Sequence, residues 1–103
     1  MRGNLRRGLS LVRRRTPRGE PIHVRFYEKA GCGLCDEAHR ALTRVRMSVP
    51  IVIERIDIER DAALFDRYAI RIPVVAVGER ELDAAGLDDV TLRDWLGELI
   101  AGR

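Results

Sequence analysis

Gly31-Cys32-Gly33-Leu34-Cys35 carries the strongest signal in this chain, because these two cysteines are the only ones in 103 residues. Residues 22–27, just before them, alternate between apolar and polar side chains as a β-strand does. The residues after them carry apolar side chains at helical spacing. The sequence therefore predicts that the cysteine pair lies where a strand ends and a helix begins.

The start of a helix suits thiol chemistry. Its first turn has unpaired N–H groups and the positive end of the macrodipole, about half a unit charge. A thiolate there is stabilised, so its pKa can fall from about 8.5 into the range of about 3.5–7.5. A second thiol one turn later can attack a mixed disulfide that the first thiol has formed. We predict that Cys32 is the exposed attacking cysteine and that Cys35 is the resolving one.

Three other interpretations of the pair stay open at this point. Two cysteines at this spacing form half of a zinc site, which His39 and a carboxylate such as Asp36, or a second chain, would have to complete. A purely structural disulfide is a second interpretation, although closing so short a loop gains little chain entropy. Two buried and inert thiols are the third. The glycines on either side of Cys32 argue against this last interpretation.

Composition predicts one domain, with 46% hydrophobic residues and few aromatic ones. No apolar run approaches the roughly 18 residues needed to span a membrane, so a membrane is not expected as a partner. Two cysteines do not make a secreted disulfide scaffold, whereas a redox pair fits the reducing cytosol. A cytoplasmic location is expected.

The charge is unevenly distributed along the chain. Residues 1–20 hold seven arginines and one acid, a net charge of +6, whereas the other 83 residues hold 12 basic and 15 acidic groups, a net charge of −3. Residues 1–20 are predicted to be a disordered basic arm, and residues 21–103 the domain. A transit peptide, contact with nucleic acid or anionic lipid, and packing over the domain are the functional alternatives to a solvated tail or a later true start. The solvated tail or later start is favoured, so nucleic acid is not expected as a partner.

Periodicity predicts strands at residues 22–27, 51–58 and 71–77, with a short fourth strand at 80–82. The 51–58 segment is nearly continuous in branched apolar residues, which indicates a strand buried on both faces. Pro73 near the start of the third strand is permitted, because a missing N–H costs no ladder bond there.

Helices are predicted from Cys32 to about Val49, ended by Pro50, and over a short segment to Tyr68 with an Asp at its start. A last helix opens at Thr91, with Asp94 completing a capping box. The predicted buried stripes are Leu34, Ala38, Ala41, Leu42, Val45 and Val49 in the first helix, Leu64, Phe65 and Tyr68 in the second, and Leu92, Trp95, Leu96, Leu99 and Ile100 in the third.

A strand ending in Phe26-Tyr27, a Cys-x-x-Cys pair at a helix start, and Ile72-Pro73 before a β-branched strand resemble a glutaredoxin of the thioredoxin superfamily. The resemblance is closer still to the small bacterial glutaredoxin-like proteins, and it covers residues 22–101. It implies an α/β, thioredoxin-like fold in which a four-stranded mixed sheet is flanked by three helices.

The resemblance also implies roles for individual residues. Cys32 matches the nucleophile and Cys35 the resolving cysteine of the family. Pro73 matches a cis-proline that faces the disulfide, and Ile72 a residue that offers main-chain hydrogen bonds to the substrate. Lys29 matches a basic position that in glutaredoxins holds a carboxylate of glutathione.

Two segments depart from the family pattern. Gly33-Leu34 stands between the cysteines where the family often has Pro-Tyr. The later segment with paired glycines and an acid is reduced to residues 86–89, where Gly86 and Asp88 take its place as substrate-binding residues.

The expected function is that of a dithiol thiol–disulfide oxidoreductase that reduces protein disulfides or glutathione mixed disulfides. Its partners would be a disulfide-containing protein or glutathionylated substrate, and glutathione or a thioredoxin-reductase-type reductant. No tightly bound cofactor is expected, with glutathione as a co-substrate and no metal site. The alternatives are a carrier of an iron–sulfur cluster or metal on the same cysteines, and a non-catalytic thioredoxin-fold binding module.

Overall fold

The computed structural model describes residues 20–102 of the chain. Its elements in order are β1 (Ile22–Glu28), α1 (Gly33–Val45), β2 (Ile51–Asp57), a 3₁₀ turn (Ile58–Arg60), α2 (Ala62–Tyr68), β3 (Val74–Val77), β4 (Arg80–Asp83) and α3 (Asp89–Ala101). The predicted basic arm lies outside the described residues, apart from Glu20. Within the described part, no helix has the length and apolar character needed to cross a membrane.

The strands form one mixed sheet in the order β2-β1-β3-β4. β1 and β2 run parallel from the pair Ile22–Ile51 to the pair Glu28–Asp57, and α1 connects them. β3 runs antiparallel to β1, and β4 antiparallel to β3. This arrangement confirms the predicted α/β fold with a four-stranded mixed sheet and three helices.

Apolar side chains cover both faces of the sheet. α1 and α3 pack on one face, where the buried cluster includes Val24, Phe26, Leu42, Val45, Leu92 and Leu96. The 3₁₀ turn and α2 pack on the other face, where the buried cluster is Tyr27, Ile58, Tyr68, Val74 and Ala76. Successive residues of a strand point to opposite faces, so β1 contributes to both cores.

The prediction that the second strand is buried on both faces is wrong. β2 lies at the edge of the sheet, only Ile51 within it is buried, and Val52 is 48% exposed. Its branched residues reflect strand propensity, which is high on an edge strand as well as in a core. Phe65, predicted to point inward from α2, is also exposed, whereas Tyr68 is buried as predicted.

Two helix boundaries also differ from the predictions. α1 ends at Val45, four residues early, and the chain turns before Pro50, whose carbonyl accepts the Ile22 N–H at 2.8 Å. α3 begins before Thr91, because the Asp88 carboxylate accepts the Thr91 N–H at 2.9 Å and caps the helix. Asp is a slightly better cap than Thr, and capping at this earlier position lengthens the helix.

The predicted buried stripes of α1 and α3 hold in their middle and fail at one end each. Leu34 is half exposed in the first turn of α1, and Ile100 is 37% exposed near the end of α3. The first turn of α1 instead buries Cys35 completely. An apolar residue at a periodic position near the end of a helix can therefore be left uncovered.

Candidate redox site

The cysteine pair lies at the start of α1, as the sequence predicts. Cys32 is the N-cap residue, with an extended backbone, and its carbonyl accepts the Asp36 N–H at 3.0 Å. Its Sγ accepts the backbone N–H of Cys35 at 3.1 Å. Gly31 precedes it with φ +73°, a left-handed conformation that glycine adopts without a steric penalty. The sulfur of residue 32 therefore takes the place that a side-chain oxygen usually takes at a helix start.

The two sulfurs are joined as a Cys32–Cys35 disulfide, with the Cα atoms 5.2 Å apart. Their surroundings differ: Cys32 is partly exposed, whereas Cys35 has no exposed surface. An incoming sulfur can therefore approach residue 32 from solvent, but residue 35 only through residue 32. The inert buried pair considered above does not fit this geometry.

Strand register brings Pro73 to the same end of the sheet as the cysteine loop. Val74 pairs with Tyr27, near the end of β1, and three residues then lead from β1 to Cys32. The Ile72–Pro73 peptide bond is cis, and the Pro73 ring is buried.

The backbone of the Ile72-Pro73 segment is bonded on both sides. The Ile72 N–H donates to the carbonyl of Tyr68 at 3.0 Å, and the Pro73 carbonyl accepts the Ala84 N–H at 2.8 Å. No group among residues 20–102 donates to the Ile72 carbonyl. Ile72 has two main-chain groups that are expected to bond a substrate. Its N–H already has a hydrogen-bond partner, so its carbonyl is the group that a substrate could bond.

Gly86 and Asp88 belong to the loop that follows β4. Gly86 has φ +77°, inside a turn in which the Leu87 N–H donates to the carbonyl of Ala84 at 3.2 Å. This turn begins beside Pro73, because the Ala84 N–H donates to the Pro73 carbonyl. The Asp88 carboxylate caps α3, and the Thr91 N–H that it accepts lowers its pKa. A role in substrate binding stays a prediction for both residues.

Lys29 lines a shallow cleft of about 230 Å³ just before the cysteines. The residues around the cleft are Glu28, Lys29, Ala30, Asp36, Arg55 and Asp57. Glu28 accepts two hydrogen bonds from Arg55, at 2.7 and 3.0 Å, which raise the pKa of the guanidinium. With Arg55 engaged in this pair, Lys29 is the cation in the cleft that remains for an anionic group.

His39, the residue considered as a third metal ligand, lies against Phe26, with the ring centroids 5.7 Å apart. Burial and the nearby Arg55 charge lower its pKa. Among residues 20–102, no three His, Cys, Asp or Glu side chains are grouped so that they could hold a metal ion.

One cluster of charged and aromatic side chains was not predicted from the sequence. Tyr68 donates its O–H to Glu81 Oε2 at 2.5 Å, and Arg71 Nη2 donates to Glu81 Oε1 at 3.0 Å. Arg71 also donates to Asp83 Oδ1 from Nε at 3.1 Å and from Nη2 at 2.9 Å. We name Tyr68, Arg71, Glu81 and Asp83 the Arg71 cluster. The sequence does hold one indication of this cluster. Glu81 and Asp83 lie two residues apart on one strand, so their side chains share a face of the sheet.

The hydrogen bonds of the Arg71 cluster and the packing of its Tyr68 ring stabilise the same arrangement. Burial and the hydrogen bond to Glu81 raise the pKa of Tyr68 well above its usual value, and the Tyr68 hydroxyl and Arg71 lower the pKa of Glu81. The Tyr68 ring stacks on Tyr27, with centroids 4.1 Å apart. The cluster therefore joins α2, β4 and the chain just before Pro73.

Solved structures resemble this fold. An X-ray structure of the Northeast Structural Genomics target protein XcR50 from X. campestris is 36% identical, covers 73% of this chain and 96% of its own, and has a TM-score of 0.65. A solution structure of XcR50 gives 36% identity, covers 73% of this chain and 92% of its own, and has a TM-score of 0.62. A mutant thioredoxin from Halobacterium salinarum, 20% identical over 79% of this chain and 76% of its own, has a TM-score of 0.60 and shows likeness of fold alone.

No curated protein sequence gives a significant match to this chain. A family model does: the model of the glutaredoxin-like domain (DUF836) matches residues 23–97, which include both cysteines and the Ile72-Pro73 segment. This match spans most of the chain, and the fold agrees with that of the solved structures above. The chain therefore belongs to the glutaredoxin-like domain (DUF836) family.

Proposed function

We propose that this protein is a dithiol thiol–disulfide oxidoreductase, with Cys32 as the nucleophile and Cys35 as the resolving cysteine. One observation carries the proposal: a partly exposed sulfur at a helix N-cap, bonded to a fully buried sulfur one turn later. In the reduced protein, the N–H that now donates to Cys32 Sγ would stabilise a thiolate at the same place.

The reaction proceeds by two exchanges. The Cys32 thiolate attacks one sulfur of a substrate disulfide, a Cys32–substrate bond forms, and the other substrate sulfur leaves as a thiolate that takes a proton. Cys35 loses its proton and attacks Cys32 Sγ, which releases the second substrate thiol and forms the Cys32–Cys35 disulfide. The substrate gains two electrons and the protein loses two. A thiol reductant then restores the dithiol.

Substitution of each cysteine by Ser tests the proposal. Cys32→Ser should abolish the reduction of a glutathionylated peptide, because the attacking sulfur is lost. Cys35→Ser should accumulate a mixed disulfide on Cys32, visible by mass spectrometry, or should retain only deglutathionylation. A Cys32→Ser protein that still reduces the peptide would overturn the assignment of the nucleophile.

The electron donor is part of the proposal as well. Glutathione is supported by Lys29, which lines the cleft before Cys32 and could hold a carboxylate of glutathione through its ammonium group. Asp36 and Asp57 line the same cleft and would oppose an anion. Turnover with glutathione, compared with turnover coupled to a thioredoxin-reductase-type enzyme, distinguishes the two donors. A turnover that only the reductase-coupled assay supports would remove glutathione from the proposal.

A further inference from the structure

We propose that Arg71 is a positioning residue for the substrate: it holds the Ile72-Pro73 segment in register with Cys32 and so sets how tightly a disulfide substrate docks. The inference rests on the proposed function, since it concerns the substrate of that same site. Arg71 itself touches no cysteine in its hydrogen bonds or ion pairs, so its effect is transmitted through the segment that follows it.

The first step of the argument is position. Arg71 directly precedes Ile72, in a stretch that is neither helix nor strand, between the end of α2 and the start of β3. Such a connection is the part of a fold that can shift most easily. Its placement therefore depends on the bonds made by its own residues.

The second step is how this stretch is held. On its backbone, the N–H groups of Arg71 and Ile72 both donate to the carbonyl of Tyr68, at 2.8 and 3.0 Å. On its side chain, the guanidinium makes three hydrogen bonds to two carboxylates of β4. A planar guanidinium bonded at three points restricts direction as well as distance. The turn is thereby tied to α2 at one point and to β4 at another.

The third step is that these partners are themselves firmly placed. Glu81 also accepts the Tyr68 hydroxyl, and the Tyr68 ring is buried and stacked on Tyr27 of β1. Arg71 also lies over the Tyr68 ring, 5.3 Å from its centroid. The Arg71 cluster thus links the Ile72-Pro73 segment, which we call the docking segment, to the strand that leads to the cysteines.

The fourth step is a comparison with a neighbouring arginine. Arg67 shares two partners with Arg71, since its guanidinium lies 3.5 Å from Glu81 and 5.4 Å from the Tyr68 ring centroid. However, Arg67 is on α2, its side chain is 66% exposed, and it is not adjacent to the docking segment. Replacing either arginine by the same residue removes one positive charge. A difference between the two variants therefore reports the position of Arg71 beside Ile72 and not the loss of charge alone.

The experiment uses the full chain, pre-reduced with dithiothreitol and desalted, and reacted in single turnovers with increasing concentrations of a glutathionylated peptide. Arg71→Met should raise the half-saturating peptide concentration by roughly tenfold or more, because a misplaced docking group weakens a geometry-dependent encounter. Arg67→Met should change it by less than about twofold, as for an exposed ion pair. The rate of Cys32 alkylation by iodoacetamide, measured against pH, should be the same in all three proteins.

Two further variants keep the inference testable if Arg71→Met is poorly folded by circular dichroism. Asp83→Ala removes two of the three hydrogen bonds while leaving the arginine, and should raise the half-saturating concentration in the same direction. Arg71→Lys should recover part of the loss, because an ammonium group can still bond one carboxylate.

The failures of the two proposals are distinguishable. Wild-type protein without any Cys32-dependent reaction would overturn the proposed function. Active wild-type protein with unchanged saturation in both Arg71→Met and Asp83→Ala, or an equal change in Arg67→Met, would overturn the role of Arg71 alone. A changed pH profile of Cys32 alkylation in Arg71→Met would also overturn it, since Arg71 would then act on the thiol rather than on docking.

Discussion

Glu81 is the side chain on which the Arg71 cluster converges. One of its oxygens accepts the Tyr68 hydroxyl and the other accepts Arg71, while Arg67 lies 3.5 Å away. Hydrogen bonds to a charged group are stronger than those between neutral groups. The lowered pKa of Glu81 means that the folded protein prefers its ionised form, so ionisation and folding are linked.

We expect Glu81→Gln to lower the free energy of unfolding at pH 7 by about 1.5–3 kcal/mol, the usual size of a hydrogen bond to a charged group. A carboxyl whose pKa is lowered by folding stabilises the protein above its unfolded pKa, near 4.5, and loses that contribution as the pH falls through its folded value. The difference between wild type and Glu81→Gln should therefore be largest above about pH 4.5 and shrink below it.

Urea denaturation at a series of pH values measures this difference, with Glu79→Gln as the matched control. Glu79 is exposed in the turn between β3 and β4, so its substitution should change stability by less than about 0.5 kcal/mol. A difference between wild type and Glu81→Gln that does not depend on pH would contradict the role assigned to the ionised carboxylate.

The start of α1 is the element that presents Cys32. It depends on a residue with a left-handed backbone conformation just before the N-cap. The two glycines that flank Cys32 differ in their backbone dihedral angles. Gly31 has φ +73°, whereas Gly33 is the first residue of the helix and has ordinary dihedrals. An added Cβ would meet no other atom within 4 Å at either position. Any difference between them is therefore a backbone effect.

Gly31→Ala should destabilise the protein by about 1–2 kcal/mol, because a side chain is strained in the left-handed region. Gly33→Ala should stabilise it by up to about 1 kcal/mol, because alanine restricts the unfolded chain and fits a helix. Thermal unfolding of the two variants, both oxidised, measures the contrast. Equal effects of the two substitutions would show that the backbone conformation at residue 31 does not hold the helix start.

The two cores on either side of the sheet are joined by β1, so the described residues are expected to unfold as one cooperative unit. Leu42 is completely buried between α1 and the sheet, whereas Ile70 is 99% exposed beside the docking segment. Apolar residues of similar size thus occupy opposite environments, and burial rather than residue type should decide their contribution.

Leu42→Ala should lower the free energy of unfolding by about 2–5 kcal/mol, through lost burial and a cavity. Ile70→Ala should change it by no more than about 0.5 kcal/mol. Denaturant titrations followed by circular dichroism and by the fluorescence of Trp95, the one tryptophan, measure both. Transitions at different denaturant concentrations for the two probes would contradict a single cooperative unit.

Much of the fold could be predicted from short stretches. The alternation in β1, the helical stripe after Cys35 and the branched residues after Pro73 are patterns among neighbours in sequence, and they correctly indicated an α/β fold with the cysteines at a helix start. Boundaries were less predictable. α3 begins at Asp89 rather than Thr91, because several residues near a helix start can serve as a cap and the surrounding turn decides among them.

The sequence by itself determined the order of strands and helices and the place of both cysteines, since spacing and propensity act between residues close in the chain. Only the tertiary structure decided that β2 is an edge strand, that Cys35 has no exposed surface, and that Arg71 meets Glu81 and Asp83. These features depend on strand register and on packing between segments distant in sequence, and a local pattern does not encode which distant group will cover or pair with it.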